Sequence, residues 1–306
     1  MKVCVVGCGA VGSLFAANLA QLDDVEVWAY DVSQAHVDAI NANGLRLTGA
    51  GDVVGHPRAT SDAATLPPCD FGIVATKAMH TEGAIAATAH AFTTGAVATV
   101  QNGVGNEEVV AVYVARVIRG TTFPAGKILE PGVVQWDVKG DTTLGPFEPK
   151  PARTDEIERL ADACTRGGMP TAAVADARPA QWRKVIFNAS TNPVGALTRL
   201  THGRVCERPD LRALVSALVD EGKAVAAAQG ITLDADPEEL IDHAAKPEIA
   251  YGHKASMLQD VEARRATEID FLNGGIARFG RQLGVATPLN DAITSLIKGL
   301  EASWSL

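Results

Sequence analysis

Residues 182–193 read Trp-Arg-Lys-Val-Ile-Phe-Asn-Ala-Ser-Thr-Asn-Pro. Lys184, Asn188 and Asn192 stand four residues apart, so on a helix they form one slowly turning stripe. Trp182, Ile186, Phe187 and Val194 give the rest of the segment a buried character. An amine and two carboxamides among bulky apolar side chains need hydrogen-bond partners, and a bound polar ligand can supply them. An exposed polar face has the same spacing. Asparagine, however, is a poor residue for a helix interior, and its repetition points to function.

A second group of residues suits phosphate binding. Gly7-Cys8-Gly9-Ala10-Val11-Gly12 is a G-x-G-x-x-G run that follows a strand-like segment and opens a helix-like one. Gly7 permits the tight turn, Gly9 lets the backbone approach a pyrophosphate, and Gly12 lets the helix pack close to the strand. The helix N-terminus adds N–H groups and a positive dipole end. The next strand-like segment ends in Asp31, 19 positions after Gly12, where an acid can take the adenine ribose hydroxyls. The pattern predicts a dinucleotide site. Lys77 and Asn102-Gly103 close the two following strands at the same edge, where solvated turns are also common.

The third dense segment runs from Ser256 to Gly274. Ser256 with Gln259 fits a capping box, and Arg264 with Glu268 fits an i, i+4 pair. Taken alone, these residues predict one long charged helix over Met257–Leu283, with Gly274-Gly275 as a close contact or kink.

These groups need elements to position them. Lys2–Val6, Val25–Tyr30, Phe71–Thr76 and Ala96–Val100 are strand-like, with helices over Ala10–Leu22, Ser33–Asn43 and Thr81–Phe92. Such alternation predicts a mostly parallel sheet covered on both faces. Leu45–Ala59 and Lys127–Gly145 read as antiparallel hairpins appended to that sheet, Thr154–Gly167 as a helix and Met169–Ala175 as a last strand. After Asp176 helical periodicity takes over, across Pro179–Leu200, Pro209–Gln229, Pro237–Ala245, Met257–Leu283 and Leu289–Trp304. The expected architecture is an α/β Rossmann-type domain over residues 1–175 and an all-α domain over residues 176–306.

Composition narrows the function. The 306-residue chain is 47% hydrophobic with net charge −9, which gives no basic footprint for nucleic acid. Cys4, Cys8, Cys69, Cys164 and Cys206 are odd in number and lack metal spacing, so no metal is expected and a reduced, cytoplasmic setting is. The apolar stretch after Met1-Lys2 has the outline of a secretory leader, but its glycines and the strand that follows read as structure. No membrane span is expected.

The Gly loop, Lys77, Gln101-Asn102-Gly103, Trp182–Pro193, Ser256–Gly274 and Thr287-Pro288 occur in the order seen in the ketopantoate reductases, which the chain resembles over nearly its whole length. The resemblance implies that Lys184 is the catalytic acid, and that Asn188, Asn192 and Ser256 hold the oxygens and carboxylate of a 2-keto acid. Glu268 then resembles an acid that contacts the cofactor and supports the active site. Lys77 and Asn102 resemble cofactor contacts between the domains, with Asn102 also near the substrate. Two positions depart from the pattern. His202 stands where the family has another substrate-binding asparagine, and Asp31 stands where its common NADPH enzymes have a basic residue. The expected cofactor is therefore NAD(H), with NADP(H) as the lesser partner. Alternatives are a D-2-hydroxy-acid dehydrogenase for branched or aromatic keto acids, a non-catalytic dinucleotide sensor, and an opine- or imine-forming dehydrogenase. A homodimer is left open.

Overall fold

The computed structural model describes residues 1–305. The chain divides into two compact units, one of residues 1–101 and 106–177, the other of residues 102–105 and 178–306. The expected division near residue 175 put Asn102–Gly105 in the first domain; those four residues pack instead with the helical unit.

The first unit is built on β1 (Lys2–Val6), β2 (Glu26–Tyr30), β5 (Arg58–Thr60), β6 (Phe71–Val74), β7 (Ala96–Thr99), β8 (Val117–Thr122), β11 (Thr142–Pro146) and β12 (Thr171–Ala173). Their order is β12-β11-β8-β7-β6-β1-β2-β5, and every pairing is parallel except β8 with β11. Strand side chains alternate between faces. Val3 and Val5 enter one apolar layer while Cys4 and Val6 enter the other. A strand buried on both sides reads as an unbroken apolar run, as Lys2–Val6 does. Between strands lie α1 (Ala10–Leu19), α2 (Gln34–Asn43), α3 (Thr81–Thr88), α4 (Asn106–Tyr113) and α5 (Thr154–Arg166).

The hairpin expectation is corrected. β3 (Leu45–Gly49) and β4 (Val53–Gly55) are antiparallel, as are β9 (Ala125–Glu130) and β10 (Val133–Val138). They do not extend the main sheet. β3 pairs parallel with β10, which makes a separate four-stranded sheet. Leu45, Leu47, Val134 and Trp136 of that sheet share a core with Leu14, Phe15 and Ala17 of α1. The helix is thus covered on both sides, which accounts for its being apolar all round.

The second unit comprises α6 (Arg178–Thr198), α7 (His202–Cys206), α8 (Pro209–Ala228), α9 (Pro237–Ala244), α10 (Ser256–Glu262), α11 (Asn273–Leu283) and α12 (Pro288–Ala302). Pro209, Pro237 and Pro288 each stand at a first helical position, where the missing N–H costs nothing. The single helix expected over Met257–Leu283 is two. α10 ends at Glu262, Arg264 takes a positive φ of 49°, and the chain turns through residues 263–272 before α11 begins. Gly274 and Gly275 therefore sit in the first turn of α11 and mark no kink. Among the described residues no helix is long and apolar enough to cross a membrane.

Candidate active site

In the first unit the glycine loop joins β1 to α1, beside the point where the chain reverses across the sheet from β2 to β6. Such switch points are where open α/β sheets bind ligands. Gly7 has φ +89°, and a Cβ there would lie 2.4 Å from Thr76 Cγ2. A Cβ on Gly12 would lie 2.0 Å from the Gly7 carbonyl oxygen. Both glycines are required by the fold. Gly9 is different: a Cβ there meets no protein atom within 4 Å. The first helical N–H bond is donated by Ser13 to Gly9, so helix geometry leaves the N–H groups of Ala10, Val11 and Gly12 for a ligand. A dinucleotide's phosphates fit this open, N–H-lined cradle. Gly9→Ala is expected to keep the melting temperature of the wild type and weaken NADH about tenfold, or ~1.4 kcal/mol. Gly12→Ala is expected to lose the fold. Calorimetry with NADH titration checks both, and unchanged affinity in Gly9→Ala would remove the cradle from the account.

Asp31, half-buried at the end of β2, is already engaged. Its Oδ2 accepts the Cys8 N–H at 2.9 Å and its Oδ1 the Ser33 N–H at 2.8 Å. Ser33 caps α2 without a side-chain hydrogen bond, so the carboxylate rather than the hydroxyl organises this turn. Each carboxylate oxygen keeps a further acceptor site. Lys77 precedes a 3₁₀ turn at Ala78–His80. Before it, Gln101 Nε2 donates to the carbonyl oxygen and Oγ1 of Thr76, at 3.0 and 3.1 Å, and to Thr81 Oγ1 at 2.7 Å.

In the second unit the polar stripe lies on α6, and Lys184 Nζ donates to Asn102 Oδ1 at 2.9 Å. Asn102 Nδ2 donates in turn to Glu268 Oε2 at 3.1 Å. With an ammonium on one side and a carboxylate on the other, the amide has one consistent orientation. The loop reaches this place because residue 103 is glycine: its φ is +88°, and a Cβ would lie 2.5 Å from the Phe271 carbonyl oxygen. Val104 N–H donates to that same oxygen at 3.0 Å, and Arg278 holds the Val104 carbonyl at 3.1 Å.

Glu268, 6% exposed, comes from the turn between α10 and α11. The expected Arg264–Glu268 helical pair is absent because the helix has already ended. The turn is held from elsewhere, by Glu301 Oε1 accepting the Thr267 N–H at 2.7 Å. Burial pushes the Lys184 ammonium down to about 8, while the Glu268 carboxylate pulls the other way. An amine tuned toward neutrality and still charged at pH 7 is suited to giving up a proton.

The remaining expected residues fall around α6. Asn188 and Asn192 are nearly buried, at 9% and 6% exposure. Asn192 Oδ1 receives the Thr191 hydroxyl at 3.4 Å. His202 opens α7, its ring 5.6 Å from that of Phe187, with Nε2 3.0 Å from the Ile241 carbonyl oxygen. A nitrogen facing a carbonyl carries the proton, and burial lowers the ring's pKa, so His202 is neutral and offers Nδ1 as an acceptor. Ser256 is the first residue of α10, which packs on α6. Its expected capping box does not form: Ala255 is the cap, and Gln259 Nε2 turns back to the Lys254 carbonyl at 2.9 Å. The exposed Ser256 hydroxyl therefore has no capping role. Lys184, Asn102 and Glu268 are thus joined directly. Asn188 and Asn192 share the helix, and Ser256 and His202 stand on elements packed against it.

Sequence reasoning gave no role to Glu221, Asn273 or Asn290, which form a partly buried chain of hydrogen bonds ending on the Ala189 carbonyl of α6. The available signal was Pro193, which deprives the Ala189 carbonyl of its helical donor. Among the described residues no cluster of His, Cys, Asp and Glu is arranged to hold a metal ion.

A Rossmann-type unit followed by a helical unit that carries a half-buried, amide-held lysine defines a class of pyridine-nucleotide-dependent oxidoreductases. Residues 3–149 match the family model described as ketopantoate reductase PanE/ApbA, and residues 176–301 match that of its C-terminal part. The chain belongs to the ketopantoate reductase family. It is 32% identical over 303 residues to the 2-dehydropantoate 2-reductase of Pyrococcus horikoshii, covering 99% of this chain and 98% of that one. The structure of a PanE/ApbA family ketopantoate reductase from Ralstonia eutropha JMP134 matches with TM-score 0.88 and 29% identity, over 100% of both chains. A D-mandelate dehydrogenase, solved with NADH and anilino(oxo)acetate, matches with TM-score 0.89 and 27% identity, again over 100% of both chains.

Proposed function

We propose that this chain reduces a 2-keto acid to a 2-hydroxy acid, with 2-dehydropantoate as its first substrate and NADH as its preferred cofactor. The observation that carries this reading is the Lys184–Asn102–Glu268 chain, a half-buried cation on the same helix as the two stripe carboxamides. Bound at the glycine loop, a nicotinamide dinucleotide supplies the hydride.

Everything else falls to side chains. The Lys184 ammonium polarises the keto oxygen and gives it a proton as negative charge develops there. Asn102 fixes the direction of that ammonium, and Glu268 keeps it charged against the cost of burial. Asn188 and Asn192 hold substrate oxygens, and the Ser256 hydroxyl takes the carboxylate. The first unit binds the cofactor, through Gly7–Gly12, Asp31 and Lys77, and the second binds the acid. All five cysteines are free thiols, in keeping with a reducing, cytoplasmic setting.

His202 favours a second reading. A neutral imidazole with Nε2 committed to Ile241 cannot donate as the family's asparagine does, and its flat ring beside Phe187 suits an aromatic substrate group better than a hydroxyl. The D-mandelate dehydrogenase match points the same way, toward a D-2-hydroxy-acid dehydrogenase for aromatic keto acids. Assaying 2-dehydropantoate against the keto acid of mandelate separates the two. His202→Asn is expected to raise the kcat/KM ratio in favour of 2-dehydropantoate; an unchanged ratio would place His202 outside the substrate pocket.

A further inference from the structure

Pro193 sits inside α6, one residue after Asn192. Having no N–H, it leaves the Ala189 carbonyl without its helical donor. The vacancy is filled from outside the helix: Asn273 Nδ2 donates to Ala189 O at 2.8 Å. The other hydrogen of the same amide goes to Asn290 Oδ1 at 3.0 Å. Asn290 Nδ2 donates to Glu221 Oε2 at 2.7 Å, and the Glu221 carboxylate also accepts the Leu289 and Asn290 N–H groups at 2.8 and 2.9 Å.

The two ends of this chain are both acceptors. A carboxylate at one end and a helix carbonyl at the other leave only one arrangement for the intervening amides, with each Nδ2 pointing as found. Asn273 and Asn290 are fully buried. Asn273 Oδ1 has no partner, so the fold leaves one buried acceptor unmet in order to keep the donor on Ala189. Ala189 lies between the two stripe asparagines, one residue after Asn188 and three before Asn192.

We infer that Glu221, Asn290 and Asn273 are positioning residues, which replace the α6 hydrogen bond that Pro193 omits and thereby aim Asn188 and Asn192. The inference rests on the reading that these asparagines hold a 2-keto acid. Lys184 lies nine residues before Pro193 and five before Ala189, so losing the relay weakens substrate binding and spares proton donation.

The test compares wild type with Asn273→Leu, with Glu221→Gln, and with Asn273→Leu combined with Pro193→Ala, using 2-dehydropantoate and NADH. Glu221 is only half-buried, and its amide form keeps the shape while scrambling the donor order, so it serves if Asn273→Leu does not fold. The single variants are expected to raise KM for the keto acid about tenfold with kcat within about threefold and NADH affinity unchanged, the signature of lost substrate binding. Adding Pro193→Ala returns an N–H to the Ala189 carbonyl. It is expected to restore the melting temperature while KM stays high, because the helix is then held by its own N–H and no longer by the relay. Recovery of KM together with melting temperature, or a loss of kcat alone, would overturn the positioning role. Hydrogen exchange over residues 185–198 reads the helix without substrate. Faster exchange there in either single variant supports the inference even if wild type ignores 2-dehydropantoate, and unchanged exchange overturns it.

Discussion

Replacing Lys184 by alanine is expected to lower kcat for keto-acid reduction by about 10²–10⁴, the usual scale for a lost general acid. NADH affinity should hardly change, since no part of the glycine loop touches this residue's role. Lys184→Gln should not rescue the rate: an amide can replace the hydrogen bond to Asn102 but has no proton to give. The pH profile adds an independent reading. Lys184 must be protonated to act, and burial sets its titration near 8. Reductive kcat/KM is therefore expected to hold below that pH and fall as pH rises through it. Removing Glu268, which favours the charged form, should move the falling limb to lower pH. Rates for Lys184→Ala within tenfold of wild type would strip the lysine of its assigned role.

The second large effect concerns the cofactor. NADPH would bring a doubly charged 2′-phosphate to the end of β2, where Asp31 stands. Two like unit charges about 4 Å apart repel by roughly 4 kcal/mol at an effective dielectric near 20. Screening near the surface reduces this, but even ~1.4 kcal/mol gives about tenfold discrimination. The local cations do not offset it. Residues 32–44 contain no lysine or arginine, and His36 is buried with its pKa lowered by burial, despite the pull of Asp31. Arg58 pairs with Glu26 at 3.4 Å and stacks over Trp28, three residues before Asp31 on β2. Arg46 lies by Asp52 at 3.9 Å in the second sheet. NADH is therefore expected to exceed NADPH in kcat/KM by about tenfold or more. Asp31→Arg should shift the ratio toward NADPH, while loosening the loop whose Cys8 N–H the carboxylate holds. Equal or greater kcat/KM for NADPH in the wild type would refute the assignment.

The glycine loop and the acid at the end of β2 were legible in the sequence because their determinants are local. Glycine spacing, strand phasing and an acid at the end of the next strand all lie within thirty-one residues. The same holds for the stripe on α6, where spacing alone places three polar groups on one face. Features set by distant partners were not legible. β3 and β10 each look like half of a hairpin, and only their parallel pairing across the chain makes them one sheet. α1 looks like a leader because nothing nearby shows that this sheet covers its outer side. Ser256–Leu283 has the residues of one helix, yet Arg264 turns left-handed and Glu301 holds the turn from α12. That break is what frees Glu268 from a surface pair and brings it to Asn102. The loop at Asn102–Gly105 likewise joins the helical unit through Phe271, a contact that no short window contains.

The most direct test of the account is a steady-state assay of wild type and Lys184→Ala on 2-dehydropantoate and on the keto acid of mandelate, each with NADH and NADPH. The account predicts saturable NADH oxidation with at least one of the two acids, with formation of the 2-hydroxy acid and a collapse of kcat in the variant. No oxidation of either cofactor with any 2-keto acid, or turnover that survives the loss of Lys184, would contradict it.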